Sequence, residues 1–288
     1  MSKWEGKSKV NPTAFKFFIK FLKHAGIRFT YFFLYFIAAY YLLFSLQSNK
    51  GLNQYYKKIL GYSTMRTWVS RYKTYLTFAR VLVDKVAFIA GIDRSYEFET
   101  DGIEHLKSLV RDNEGGILIS AHIGNWEVAG HLLKEINVRV NVVMLDEEHE
   151  TIKAQLDNVM GDRGYKVIPI KEDQSHIYKI STAILNKELI CMHGDRFMPG
   201  SKTITIKFMD HQARFPLGPF AMASRLGVPI TFVFGLKGAG NKYYLSASPP
   251  IYRKTPVNEI IEAFKNEVET RVKAHPHQWF NLYKFWED

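Results

Sequence analysis

The 288-residue chain predicts an α/β fold: a mixed, largely parallel sheet flanked by helices, with an N-terminal membrane-associated helix. Two patterns carry that expectation. Beyond about residue 117, short apolar strands alternate with helical segments, the order of an α/β layer fold. Ahead of them, the stretch from Phe29 to Leu46 (FTYFFLYFIAAYYLLFSL) carries no charge. Its length is at the lower limit for crossing a hydrocarbon core of about 30 Å. Composition sets the outer bounds. A chain this long can bury a substantial core, and a 23% charged fraction excludes global disorder. The single cysteine, Cys191, excludes an intramolecular disulfide framework and any multi-cysteine zinc site. The excess is one of sign: 39 Lys+Arg against 28 Asp+Glu give a formal charge of +11, and 15% of residues are aromatic. Those properties suit nucleic acid or an anionic membrane surface, and position decides between them.

Taken in order, the first element is aromatic and basic. Phe15, Phe17, Phe18, Ile19, Phe21 and Leu22 interleave with Lys16, Lys20 and Lys23, whose spacing puts the lysines on one helical face. After the apolar stretch comes Gln47-Ser48-Asn49-Lys50-Gly51 rather than a small-residue cleavage site, so a retained anchor is expected. Lys and Arg flank the stretch about equally. A spanning helix usually has a heavier cytoplasmic side, so equal flanks favour a helix that dips into one leaflet or lies along it, with a simple span still open. A buried core helix is the alternative reading of the same segment. Residues 52–90 read as further amphipathic helix, stopped at Gly91. Strands are expected at Ile117–Ile119, Val138–Leu145, Lys166–Ile170, Leu189–Met192, Thr203–Phe208, Pro229–Phe234 and Tyr243–Ala247. Helices are expected at Asn125–Ile136, Glu148–Arg163, Gln174–Asn186, Gly218–Leu226 and Val257–Ala274. Without internal repeats or a long linker, the organisation is an anchor over 1–50 and one α/β domain over 51–288.

The strongest local signal is Ser120-Ala121-His122-Ile123-Gly124-Asn125-Trp126-Glu127. A strand delivers His122 to a strand-to-helix turn, Gly124 permits close approach, and Asn125 can cap the helix. Open α/β sheets place their ligands beyond strand C-termini. Glu127, in the first helical turn, could reach one imidazole nitrogen of His122, leaving the other to accept a proton from an alcohol. No G-x-S-x-G is present and Cys191 is a poor nucleophile candidate, which favours direct attack by an activated substrate hydroxyl. The plainer reading of an isolated H-x4-E is a histidine bonded to a carboxylate for local structure.

His122-x4-Glu127 resembles the H-x4-D/E motif of membrane-bound glycerolipid and lipid A acyltransferases. The wider SAHIGNWE segment is similar to the lysophospholipid-acyltransferase-like superfamily, in its late (secondary) lipid A acyltransferase branch. Three further blocks agree in order. The first is His193-Gly194-Asp195-Arg196 with Pro199-Gly200-Ser201. The second joins Phe208-Met209-Asp210, Phe215–Pro219 and Ala223–Pro229. The third is His275-Pro276-His277-Gln278-Trp279-Phe280. The resemblance covers roughly residues 10–286. H-x4-E alone is weak; four ordered blocks are fairly specific. Gly-Asp-Arg departs from the family's usual Asp-x-Asp or Asp-Gln character, a difference that bears on the acceptor more than on the reaction.

The resemblance implies a glycerolipid-acyltransferase-like fold at the cell inner membrane, with its catalytic domain facing the cytoplasm. It implies acyl transfer from an acyl-carrier-protein or CoA thioester to a hydroxyl of a lipid A precursor or related envelope lipid, as in lipopolysaccharide biosynthesis. His122 would be the general base and Glu127 its orienting partner. Arg196 and Asp195, with Asn125 and Gly124, would bind substrate; for Arg196 an Arg–Asp pair tying two loops is the even alternative. No cofactor and no metal is implied. His193 has neither an HExxH context nor a cysteine pair beside it, His131 is remote from His122, and Gly235, Gly238 and Gly240 precede no helix. Trp126 suits an acyl pocket or plain core equally. Other acceptors (a lysophospholipid, an amino-acid lipid, a polyene pigment) keep the same chemistry. A non-catalytic, membrane-docked lipid-binding protein is a different class, which intact His122 and Glu127 argue against. Nucleic-acid binding is disfavoured, since no helix-turn-helix, RRM or zinc-finger pattern occurs and the basic residues crowd around the apolar segment.

Overall fold

A computed structural model describes residues 12–89, 91–92, 96–112, 114–126, 128, 139–145, 165–171, 173–252 and 254–287. Three helical stretches come first: α1 (Pro12–Phe44), α2 (Leu46–Asn53) and α3 (Thr64–Ile89). α1 is broken at Gly26, where φ is 77° and ψ is 164°. Its second limb buries Thr30, Leu34, Ala38 and Leu42, a stripe at four-residue spacing, against α3. The helix expected over 52–90 is interrupted. α2 runs into a π-helical turn (Gln54–Ile59), the chain bends through Gly61 at φ 65°, and α3 starts afresh at Thr64. Gly91, at φ 58°, ends α3 as expected.

The α/β region then follows as β1 (Glu97–Asp101), α4 (Ile103–Arg111), β2 (Gly116–Ser120), β3 (Val140–Leu145), β4 (Tyr165–Ile170), α5 (Ser175–Leu185), β5 (Leu189–His193), β6 (Thr203–Phe208), β7 (His211–Pro216), α6 (Gly218–Leu226), β8 (Ile230–Lys237), β9 (Lys242–Ala247) and α7 (Val257–Ala274). Seven strands form one sheet in the order β1-β9-β8-β2-β5-β3-β4. All its pairs are parallel except the β8–β9 hairpin. The mixed, largely parallel sheet predicted from sequence is therefore the one observed. β2 and β8 are buried at every residue, as strands covered on both faces are, and each is mostly apolar.

The expected strands all recur within one to three residues at their ends, as do the helices at 175–185, 218–226 and 257–274. The expected helices at 125–136 and 148–163 lie outside the described residues, apart from 125, 126 and 128. Sequence reading missed three elements. β1 is a polar edge strand whose residues are mostly exposed, so no apolar alternation marks it. α4 is a short helix between β1 and β2 that buries only Leu106 and Leu109. β7 pairs with β6 through a turn at Met209 and Asp210, both at positive φ (53° and 64°), the geometry of a two-residue hairpin turn.

Candidate active site

β2 and β5 are adjacent and parallel, with Ser120 opposite His193. His122 and Asp195 each lie two residues beyond that registered pair, so the two strand ends deliver them side by side. The Asp195 carboxylate is fully buried. Its Oδ1 is 2.7 Å from His122 Nδ1, and its Oδ2 accepts the His122 backbone N–H at 3.0 Å. Oδ2 also accepts from Trp279 Nε1 and Asn281 Nδ2, both at 3.4 Å. Burial by itself would raise this carboxyl's pKa. The charge and hydrogen bond of His122, with Arg196 and His193 close by, outweigh burial and hold it well below the usual carboxylate range.

The remainder of the loop is strapped by the C-terminal segment. His122 C=O accepts from Phe280 N–H (3.0 Å), and Gly124 N–H donates to Gln278 C=O (2.9 Å). Gln278 in turn accepts the Lys237 N–H at Oε1 (2.8 Å) and donates from Nε2 to the Lys237 carbonyl (2.7 Å). Gly124 has φ 63°, and a Cβ there would sit 2.0 Å from the Gly235 carbonyl oxygen. The close approach expected of this glycine is real, and it is made to β8. Asn125 donates its backbone N–H to the same carbonyl at 2.7 Å. Its side chain is fully buried and donates Nδ2 to the Val81 carbonyl (3.3 Å) and to Tyr243 Oη (3.5 Å). Its Oδ1 is buried without a partner, so the expected helix cap is not made; the amide is drawn to α3 instead.

Arg196 donates Nε to Asn281 Oδ1 (2.8 Å) and Nη2 to the Phe280 carbonyl (2.7 Å). Glu127 lies outside the described residues, as does His131. The carboxylate that the structure brings to His122 Nδ1 is that of Asp195. Sequence reasoning also missed Gln278, Trp279 and Asn281 as site residues. The His275–Phe280 block flagged the first two, but only the fold reveals that they grip the loop carrying His122.

His193 packs against His122 with ring centroids 4.2 Å apart, and the Trp126 ring stands edge-on to it at 5.1 Å. Burial, then the charge of His122, push its pKa down to about 3, so this imidazole is neutral at physiological pH. Its Nδ1 is buried without a hydrogen-bond partner. Among the described residues, His122, His193 and Asp195 also bring metal-ligating atoms within 4.8 Å of one another. Asp195 is already satisfied by four N–H contacts, so the group needs no cation to offset its buried charge. Cys191, half-buried on β5, has its thiol pushed up to about 12 by desolvation, which disfavours it as a nucleophile.

Beneath this layer is a second buried charge. Asp84 of α3 pairs with Lys237 Nζ at 2.7 Å and accepts from Tyr243 (2.5 Å), Tyr96 (3.1 Å) and Tyr31. It ties α1 and α3 to β8 and β9 immediately under the Gly124–Asn125 turn.

Residues 17–288 match the family described as bacterial lipid A biosynthesis acyltransferase. The chain is also similar to phosphatidylinositol mannoside acyltransferases. That of Mycobacterium tuberculosis is 22% identical over 189 residues, 64% of this chain and 58% of the relative. That of Mycolicibacterium smegmatis is 22% identical over 189 residues, 64% of this chain and 60% of the relative. The chain thus spans less than two thirds of the length of these curated relatives.

Proposed function

Because the chain belongs to the bacterial lipid A biosynthesis acyltransferase family, which it matches over residues 17–288, we propose that it is a membrane-associated lipid acyltransferase. It moves a fatty acyl chain from an acyl-carrier-protein or CoA thioester to a hydroxyl of a lipid A precursor or related envelope lipid. The mycobacterial relatives, named for acylating a mannoside lipid, support a sugar-bearing lipid as the acceptor class.

The observation that carries the mechanism is the buried Asp195 carboxylate on His122 Nδ1. It supports a tautomer with the proton on Nδ1 and Nε2 as the base. Nε2 takes the proton of the acceptor hydroxyl as its oxygen attacks the thioester carbonyl. The tetrahedral oxyanion then collapses, the C–S bond breaks, and the imidazolium returns the proton to the departing thiolate. Asp195 stabilises the imidazolium in between, as the acid of a catalytic triad does. In this reading Asp195 orients the base rather than binding substrate. Glu127, expected from sequence as the orienting partner, lies outside the described residues. Gly124 and Asn125 set the turn, and Arg196 supplies positive charge beside the site for a phosphate or the oxyanion.

The test is mass spectrometry of envelope lipids from a strain lacking the gene. One lipid class should lose a single acyl chain and regain it when the gene is restored. An unchanged acylation pattern in every lipid class would sink the assignment.

A further inference from the structure

α1 is long and apolar enough over Phe18–Phe44 to cross a membrane, yet it is not one rod. At Gly26 it turns back on itself: the Phe21 ring lies 6.2 Å from Phe29 and 6.0 Å from Phe33. In an unbroken helix, positions 21 and 33 would stand about 18 Å apart. The second limb, 27–44, is about 27 Å long at 1.5 Å per residue, short of a core of about 30 Å.

That limb is held along its length by α3. Tyr41 packs on Tyr75 (6.0 Å), Arg71 donates to the Leu42 carbonyl (3.3 Å), Arg80 donates to Tyr35 Oη (2.9 Å), and Tyr31 donates to Asp84. α3 is held in turn by the α/β body, through Phe78 on Phe280 (4.9 Å), Val81 to Asn125, and Asp84 to Lys237. The limb is therefore fixed to the body, through α3 and directly where Lys237 Nζ lies 5.7 Å from the Tyr31 ring. Pushing it across a bilayer would carry Arg71, Lys73 and Arg80 of α3 to hydrocarbon depth, which is strongly unfavourable for charged groups.

Its outward face is nevertheless built for lipid. Phe36 and Phe44 are 62% and 65% exposed, and the face continues past the end of α1 onto the first turns of α3, where Met65 is 76% and Trp68 47% exposed. Exposed Lys50, Lys57, Arg66 and Lys73 surround that end, the arrangement of an interfacial helix on anionic headgroups.

We propose that the protein is monotopic: the outer face of the α1–α3 hairpin enters one leaflet of an anionic bilayer, and both ends of the apolar limb stay on the same side. This rests on the membrane association proposed above. The test places single cysteines at two exposed positions flanking the limb, His24→Cys and Gln47→Cys, each in full-length protein carrying Cys191→Ala. A membrane-impermeant maleimide is applied to sealed inverted and right-side-out vesicles, with detergent-opened vesicles setting full labelling. Both cysteines should label from the same side, at least about tenfold more than from the other. Labelling from opposite sides overturns the proposal. In a companion flotation with phosphatidylglycerol-containing vesicles, Met65→Asp with Trp68→Asp should reduce bound protein about fivefold; unchanged binding removes α3 from the membrane face. If the unmodified protein floats with no vesicle, it is membrane association itself that fails.

Discussion

Asp195 has no exposed surface and four donors within 3.4 Å, two of them from His122. Asp195→Asn keeps the shape but offers an amide where the imidazole needs an acceptor, so the ring loses its fixed tautomer. The expected result is a fall in kcat of about 10²–10⁴ with KM little changed, read by steady-state kinetics on protein with an unaltered melting temperature. A fall confined to KM would return Asp195 to substrate binding. His193 predicts a pH effect on stability. Its folded pKa of about 3 lies below the ordinary 6.5, so between those values the unfolded chain binds a proton that the folded chain refuses. Stability therefore falls as pH falls through that window. Denaturant unfolding at pH 7 and pH 5 should show the loss, and His193→Gln should lessen it. A pH-independent midpoint would contradict the buried, neutral ring.

At the scale of elements, the turn after β2 is among the tightest joints of the described residues. Gly124→Ala would set a methyl 2.0 Å from the Gly235 carbonyl oxygen and force an alanine to φ 63°. The expected cost is about 2–4 kcal/mol, measured by chemical denaturation, with activity lost together with the fold; a neutral substitution would refute the close approach. Elements were legible where burial is two-sided or the helical period is complete, as in β2, β8 and α7. They were not where the signal is polar or brief: β1 is mostly charged residues on an edge, and β7 shows itself only through the Met209–Asp210 turn. The Asp195 carboxylate on His122 Nδ1 was hidden for a related reason. Seventy-three residues separate His122 from Asp195, and only the β2–β5 adjacency, which spacing along the chain cannot reveal, joins them. Glu127, the nearer carboxylate in sequence and the one expected there, lies outside the described residues.

For the molecule as a whole, the N-terminal helices and the α/β region share one core. Leu34, Ala38 and Leu42 of α1 belong to the same buried cluster as Ile119, Phe232 and Trp279, and Asp84 binds α1, α3 and the sheet through one buried carboxylate. Removing residues 1–50 uncovers the α1-facing side of α3 and takes Tyr31 from that carboxylate. The truncated chain should aggregate or lose its cooperative melt; a soluble, fully active truncation would contradict a shared core. The longest aromatic run is divided at this scale: Phe29, Phe32, Phe36, Tyr40 and Phe44 are exposed on the outer side of that hairpin, while Leu34, Ala38 and Leu42 are buried. The family was legible at another scale, in His122 and its ordered blocks.

The most direct test of the central claim is acyl transfer by purified full-length protein in lipid vesicles, using radiolabelled acyl-carrier-protein thioester and acyl-CoA with extracted envelope lipid as acceptor. The wild type should transfer label to lipid from at least one donor, and His122→Ala, equally folded and equally vesicle-bound, should be slower by at least about a hundredfold. Equal rates for the two proteins would show that His122 is not the base.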